Sequence, residues 1–347
     1  MNPDTGEIFS SRANSDGWKD VEHQRKKRKD SVRILILGDS NTLGIVPLKY
    51  IYPRVLEGLL RDAGFDAEVI SVGYGGWGTD QALVALKRTG LSYEPDIVIS
   101  QFDTNDLVDN LALNDIAIQK PFRFQVVNGE LKMQPVQPKK ISDERFSSRL
   151  KTLLLRSYVI FYANVVRLAL EEHIPQPRRK EKGQNQTNTI GHDPRGPYFV
   201  HHLSQRGAPG IEAAWLLYEK LVGEMKRVSE QNRAIFLLFN AVEKGELAWA
   251  KRRRQIVEDE TGHDAIPWEG KLHAIYYYRH VDRMKGVADR IGAFMIPNER
   301  SYTRYNNDAH ANIEGNRRMA EDIFDFLTTN EQTSRVLRKA QKRNEGE

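Results

Sequence analysis

Val32-Arg33-Ile34-Leu35-Ile36-Leu37-Gly38-Asp39-Ser40-Asn41-Thr42-Leu43-Gly44 is the stretch whose reading decides the fold. Val32 to Leu37 is an aliphatic, largely β-branched run that stops abruptly at Gly38-Asp39-Ser40. Such a run, apolar on both faces and closed by turn residues, reads as a buried parallel strand entering a tight turn. In open α/β sheets the chemistry sits just beyond the carboxyl ends of such strands, which places Ser40 where a nucleophile is exposed. A small polar residue there also serves as the N-cap of the next helix, and the strand alone does not separate the two roles.

Outward from this strand the pattern alternates. Residues 1–31 read as an irregular lead-in ending in a basic linker. A helix is expected over Lys49–Ala63, with Ile51, Val55, Leu56, Leu59 and Leu60 at helical spacing. Glu68–Val72 reads as a second strand, closed by the cluster Gly73-Tyr74-Gly75-Gly76-Trp77-Gly78. Thr79 is then placed as the cap of a helix running to about Arg88. Asp96–Phe102 reads as a third strand opening into Asp103-Thr104-Asn105-Asp106. Strand and helix in alternation argue for right-handed βαβ units and a parallel sheet.

A long, mainly helical excursion follows, placed at 111–233. It contains a hairpin over Phe122–Met133 turned at Asn128-Gly129, a helix over Ser147–Leu170, a polar loop over Pro175–Gly210 and a helix over Ile211–Glu230. Ala234–Asn240 restores the sheet as a fourth strand, and 243–290 reads as mostly helical, with Tyr276-Tyr277-Tyr278 inside it. A fifth strand, Gly292–Ile296, leads through the loop Asn298–Ala311 to a last helix from Asn312. The domain is thus expected to span 32–330, with a charged, disordered tail over 331–347. The fold class is α/β: a flavodoxin-like three-layer α/β/α with a five-stranded parallel sheet.

Composition narrows the function. The 347 residues carry a net charge of +5 and no cysteine, which excludes disulfides, thiolate metal sites and a cysteine nucleophile. Mean hydropathy is −0.59, and no apolar stretch approaches the ~20 residues that span a bilayer. With no export signal in the chain as written, a cytoplasmic location is the default expectation, with periplasm or secretion left open. The positive charge lies in short runs such as Arg25–Lys29 and Lys251–Arg254. No nucleic-acid motif accompanies them, so they read as solvated linkers and helix faces, and no nucleic acid is expected as a partner.

Four strand-end loops carry groups suited to acyl transfer. Ser40 can attack, His310 can take its proton, and Asp308 beside it can orient that base. The N–H groups of Ser40 and Gly76 and the side chain of Asn105 can donate to a developing oxyanion. Together GDSNTLG, GYGG, TND at 104–106 and DAHANIEG at 308–315 resemble, in order and strand context, the blocks of the SGNH/GDSL hydrolase superfamily. The approach Asn14-Ser15-Asp16-Gly17-Trp18-Lys19-Asp20 is similar to that of larger bacterial members with a long central insertion. The resemblance implies the same roles for Ser40, Gly76, Asn105 and His310, and no cofactor. Two positions depart from the pattern: Asp103 stands where the family has glycine, and Asn307 stands where it has the orienting aspartate, which leaves Asn307 as the alternative to Asp308 for orienting His310.

The expectation is therefore a serine ester hydrolase working through an acyl-enzyme. Its substrate would be an acetyl or other short acyl ester of a glycan or small molecule, with Trp77, Asp103 and Asn41 as substrate-lining candidates. Family members also include O-acyltransferases, which would use the same site. A second class is nucleotide binding, since Gly73, Gly75 and Gly78 satisfy G-x-G-x-x-G, and a third is a binding protein without chemistry. No metal is expected, because His192, His201 and His202 lack ligand spacing on a helix.

Overall fold

Seven consecutive buried residues, Val32–Gly38, form strand β1 at the centre of the sheet. The computed structural model describes residues 1–9, 12–103, 105–111, 120–135, 211–242, 257–268, 271–274 and 279–341. All of them fall in the unit formed by Met1–Val136 and His192–Glu347. The expected helix over 147–170, the loop over 175–210, the tyrosines at 276–278 and the histidines at 192, 201 and 202 lie outside the described residues.

After β1 come α1 (Ser40–Leu43), α2 (Tyr52–Asp62), β2 (Ala67–Gly73) and α3 (Thr79–Arg88). Strand β3 (Ile97–Phe102) leads into α4 (Asp106–Leu111), and β4 (Phe122–Val127) turns through Asn128-Gly129 into β5 (Glu130–Pro135). Helix α5 (Ile211–Gln231) precedes β6 (Ile235–Asn240). Short antiparallel strands β7 (Val257–Glu258), β8 (Asp264–Trp268) and β9 (Lys271–Ala274) follow, then α6 (Arg279–Ile291) and β10 (Phe294–Ile296). Helices α7 (Ile313–Thr329) and α8 (Glu331–Lys339) close the chain.

The main sheet is parallel throughout, in the order β10-β6-β3-β1-β2. Counted along the sheet's own strands this is the 2-1-3-4-5 order of flavodoxin-like folds. Alternate residues of β1 serve opposite layers: Leu35 and Leu37 pack with α3, α5 and α6, while Ile34 and Ile36 pack with α2, α7 and α8. Burying both faces is why these strands read as unbroken aliphatic runs. Register sets the edge where chemistry gathers. Gly38 pairs with Gly73 and Phe102 with Asn240, so the loops after β1, β2, β3 and β6 leave at one level.

Three expectations are corrected. The described part of 243–290 holds the three-stranded sheet β7–β9 before its helix, because Asp264–Trp268 and Lys271–Ala274 pair antiparallel. The tail is not irregular through 331–339. Asn330 caps α8 by accepting from the N–H groups of Gln332 and Thr333, and Leu337 and Ala340 are buried under the sheet. The helix before β2 begins only at Tyr52, after a short 3-10 turn over Leu48–Tyr50.

The basic run of the lead-in is not a solvated linker. Arg25, Lys27 and Arg28 each meet a carboxylate, those of Asp16, Asp96 and Asp66. The run wraps Arg33, the one charged residue of β1, whose guanidinium donates to Glu68 and to the carbonyls of Gln24, Arg25, Lys26 and Tyr93. An arginine in a buried strand is thereby fully bonded.

His23 fastens the same segment. Its two ring nitrogens bond Asp20 at 2.9 Å and Glu68 at 2.7 Å, so it sits as an imidazolium between two carboxylates. Burial alone would lower its pKa, but the bonds to Asp20 and Glu68 outweigh it and raise it from 6.5 to about 9. A raised histidine pKa contributes stability that is complete below pH 6.5 and disappears as pH rises through about 9. The difference corresponds to on the order of 3 kcal/mol. The thermal midpoint should therefore fall between pH 6.5 and 9, and His23→Gln should flatten that fall. A parent midpoint that is level across this window contradicts the pairing.

Candidate active site

Gly38 ends β1 because no side chain fits there. A Cβ would lie 2.2 Å from both Gln101 Oε1 and Thr42 Oγ1. Gln101 Oε1 accepts from Thr42 Oγ1 at 2.8 Å and from the Asp39 N–H at 3.2 Å, which fixes the turn against β3. Asp39, not Ser40, is the N-cap of α1, since its carboxylate accepts from the Asn41 N–H at 2.8 Å. Ser40 is therefore the first helical residue and its hydroxyl is not spent on capping. Asp39 is buried, and burial, reinforced by the charge of Asp103, pushes its carboxyl up to about 7.

Three donors lie on the loops that follow β1, β2 and β3. Among the described residues, the N–H groups of Ser40 and Gly76 make no hydrogen bond. Gly76 has φ +74°, a left-handed conformation that favours glycine, at the tip of the loop after β2. Asn105 follows β3, and its Nδ2 donates to Asp109 Oδ2 at 2.7 Å, one turn along α4. That bond fixes the amide and uses one of its two N–H protons, leaving the other to donate.

His310 sits on a loop closed like a hairpin. Arg304 and Ala311 form a bridge, the Tyr305 N–H donates to the His310 carbonyl at 3.2 Å, and the Asn312 N–H donates to the Thr303 carbonyl at 3.1 Å. Inside it, Asp308 Oδ1 bonds His310 Nδ1 and also accepts from the His310 N–H at 2.8 Å. Burial works against both charges, but this pairing dominates: it holds Asp308 below the usual carboxylate range and raises His310 above the usual histidine value. The charges of Asp39 and Asp103 raise His310 further. Asn307 is tied through its backbone to the lead-in. Its N–H donates to Asp4 Oδ1 at 3.0 Å, and Asp4 Oδ2 accepts from the Asn306 N–H at 3.0 Å. Among the described residues neither Ser40 Oγ nor His310 Nε2 is hydrogen-bonded. Such contacts often tighten only when substrate is bound.

Asp103 and Asn41 need correction as substrate-lining residues. They are 6% and 5% exposed, and Asn41 Nδ2 donates to Asp103 Oδ2. The pair braces the turn bearing Ser40 against the loop after β3, and Asp103 is not solvent-facing. Trp77 is half-buried between Trp18, edge-on at 5.4 Å between ring centroids, and Tyr74 at 6.0 Å. Tyr74 is 49% exposed.

The glycine cluster does not present a free helix terminus. Gly78, not Thr79, is the N-cap of α3, and its N–H donates to Gln81 Oε1 at 3.2 Å. The Asp80 N–H donates to Asn110 Oδ1 and the Gln81 N–H to Asp80 Oδ1. A dinucleotide pyrophosphate would meet those acceptors and the Asp80 carboxylate where it needs donors. Lys120 pairs with Asp80 at 2.9 Å and pins α4 there. Among the described residues, no group of three or more histidine or acidic side chains is placed to hold a metal, and no helix is long and apolar enough to cross a membrane.

Four further residues emerge from the structure. Asp109 stands four after Asn105, a helical spacing that was readable once α4 was recognised. Gln101, Asp4 and Arg304 left no local signal, because each acts on a segment distant in sequence.

No family model matches the chain, and no curated protein matches it. Solved structures do. A lipase/acylhydrolase from Enterococcus faecalis is 11% identical, with a TM-score of 0.41, covering 85% of this chain and 95% of that one. A family 3 carbohydrate esterase from Clostridium thermocellum is 11% identical, with a TM-score of 0.42, covering 90% and 100%. The acetyl xylan esterase AlAXEase is 13% identical, with a TM-score of 0.41, covering 85% and 100%.

Proposed function

We propose that the chain is a serine ester hydrolase of the SGNH type, acting through an acyl-enzyme. The observation that carries this reading is the Asp308–His310 pair, formed on a loop that meets the turn bearing Ser40. Ser40 Oγ attacks the ester carbonyl while His310 Nε2 takes its proton. Asp308 keeps Nδ1 protonated and stabilises the imidazolium. The oxyanion is received by the N–H groups of Ser40 and Gly76 and by Asn105 Nδ2. His310 then gives its proton to the departing alcohol. Water, deprotonated by the same histidine, releases the acid and restores Ser40.

The substrate we favour is an acetyl or other short acyl ester of a glycan. Trp77, held edge-on by Trp18, and the exposed Tyr74 place flat aromatic surface in the loop that carries Gly76, a surface on which a sugar ring can stack. A panel of p-nitrophenyl esters of increasing chain length, run beside acetylated polysaccharides, tests this. Turnover should be highest for acetate and should extend to the polysaccharides; a maximum at long acyl chains contradicts it.

Asn105→Ala should lower kcat by ~10²–10³, the usual effect of removing one oxyanion donor. KM should change less, since the contact strengthens only as charge develops. A loss confined to KM would make Asn105 a ground-state binding residue instead.

A further inference from the structure

Arg304 is a buried cation at the meeting point of three strand-end segments. It is 8% exposed. Its Nη2 donates to the carbonyl of Ala241, immediately after β6, at 2.7 Å. Its Nη1 donates at 2.6 Å to the carbonyl of Ala309, the residue before His310. The same nitrogen reaches Asn41 Oδ1, next to Ser40, at 3.5 Å. The far end of the Asn41 amide is tied to Asp103. A planar guanidinium can span three directions at once, whereas an ammonium offers a point charge without that fork.

We propose that Arg304 is a positioning residue that holds His310 at the nucleophile turn through Ala309 and Asn41. Its catalytic consequence rests on the esterase reading above, but its effect on His310 does not. The ring of His310 is surrounded by charge. On its own loop it meets Asp308, with Arg304 and Tyr305 nearby, while Asp4 bonds the backbone at Asn306 and Asn307. From the β1 turn it faces Asp39, and from the end of β3 Asp103, with Asp106 of α4 behind both. Arg304 is the cation set among these carboxylates, and it lowers the pKa of Asp308. Removing that cation leaves the field of these carboxylates on His310 less opposed, and the imidazolium should then persist to higher pH.

The test is an NMR titration of the His310 ring, its resonance identified by loss in His310→Gln, with kcat and KM measured across pH on an activated acetate ester. In Arg304→Met the ring should titrate about one unit higher, the scale on which a neighbouring charge acts. The acid limb of the rate profile should move with it, and kcat should fall ~10–100-fold through misplacement of the base, with little change in KM. Arg304→Lys, the variant least prone to misfold, should restore the titration but only part of kcat, since charge returns without the fork. A ring titration unmoved in Arg304→Met overturns the proposal, as does full recovery of kcat by lysine. The titration is read whether or not any ester is turned over. A protein that shows the shift and hydrolyses nothing therefore supports the placement of Arg304 and sinks the esterase reading alone.

Discussion

Ser40→Ala is expected to lower kcat on any ester the parent cleaves by ~10⁶, on the precedent of nucleophile removal in serine proteases. The fold should survive the change. Asp39 caps α1, so the Ser40 side chain bears no capping bond, and alanine is a better helix former at the position it occupies. Circular dichroism and the thermal midpoint should match the parent while turnover is lost. Near-normal turnover would show that the nucleophile lies elsewhere.

Asp308→Ala should cost up to ~10⁴ in kcat, as loss of the orienting carboxylate does in the worked serine-protease triad. The carboxylate makes two bonds to the same residue, to the ring and to the backbone N–H, so its removal frees both the tautomer and the loop. The direction of the pH effect follows as well. Asp308 raises the pKa of His310, so the small residual activity should persist to lower pH than the parent's. Asn307→Ala should cost far less. The structure ties the backbone of Asn307 to Asp4, and it is Asp308 that bonds the His310 ring. Gain of activity in Asn307→Asp, with indifference to Asp308→Ala, would reverse the assignment. The activities are compared as kcat and KM across pH.

What was legible in the sequence was local. The β1 run and its Gly38-Asp39-Ser40 stop, the Asn128-Gly129 hairpin and the stripe of α7 each announce themselves within a few residues. Four short motifs after β1, β2, β3 and β10 place Ser40, Gly76, Asn105 and His310 beyond one edge of the sheet, because a parallel sheet sends all those ends the same way. What was not legible depends on partners far along the chain. Arg33 looks misplaced in a buried strand until the lead-in folds its carbonyls around it. The tail was read by its charge, although Asn330 was a readable cap and Leu337 a readable anchor. The β7–β9 strands are too short, and in β8 interrupted by Pro267, to show a period. Asp103 was read as a substrate-lining candidate because nothing adjacent reveals that Asn41, 62 residues earlier, bonds it.

The same division runs through the candidate site. The groups proposed to do chemistry lie in recognisable blocks, whereas those that hold them do not. Asp4 ties the histidine loop from the far end of the chain. Lys19 donates to the carbonyls of Gly44 and Val46, just past α1. Trp18 backs Trp77. The lead-in thus touches three of the four loops that carry the site, so changes near the amino terminus should reach activity through geometry.

The most direct measurement is covalent labelling of the intact protein with a fluorophosphonate, followed by peptide mass spectrometry. The account predicts one adduct, on the peptide carrying Ser40, absent in Ser40→Ala and slowed below the pH at which His310 loses its proton. An intact protein that takes up no label, or takes it on another residue while Ser40 stays unmodified, would contradict it.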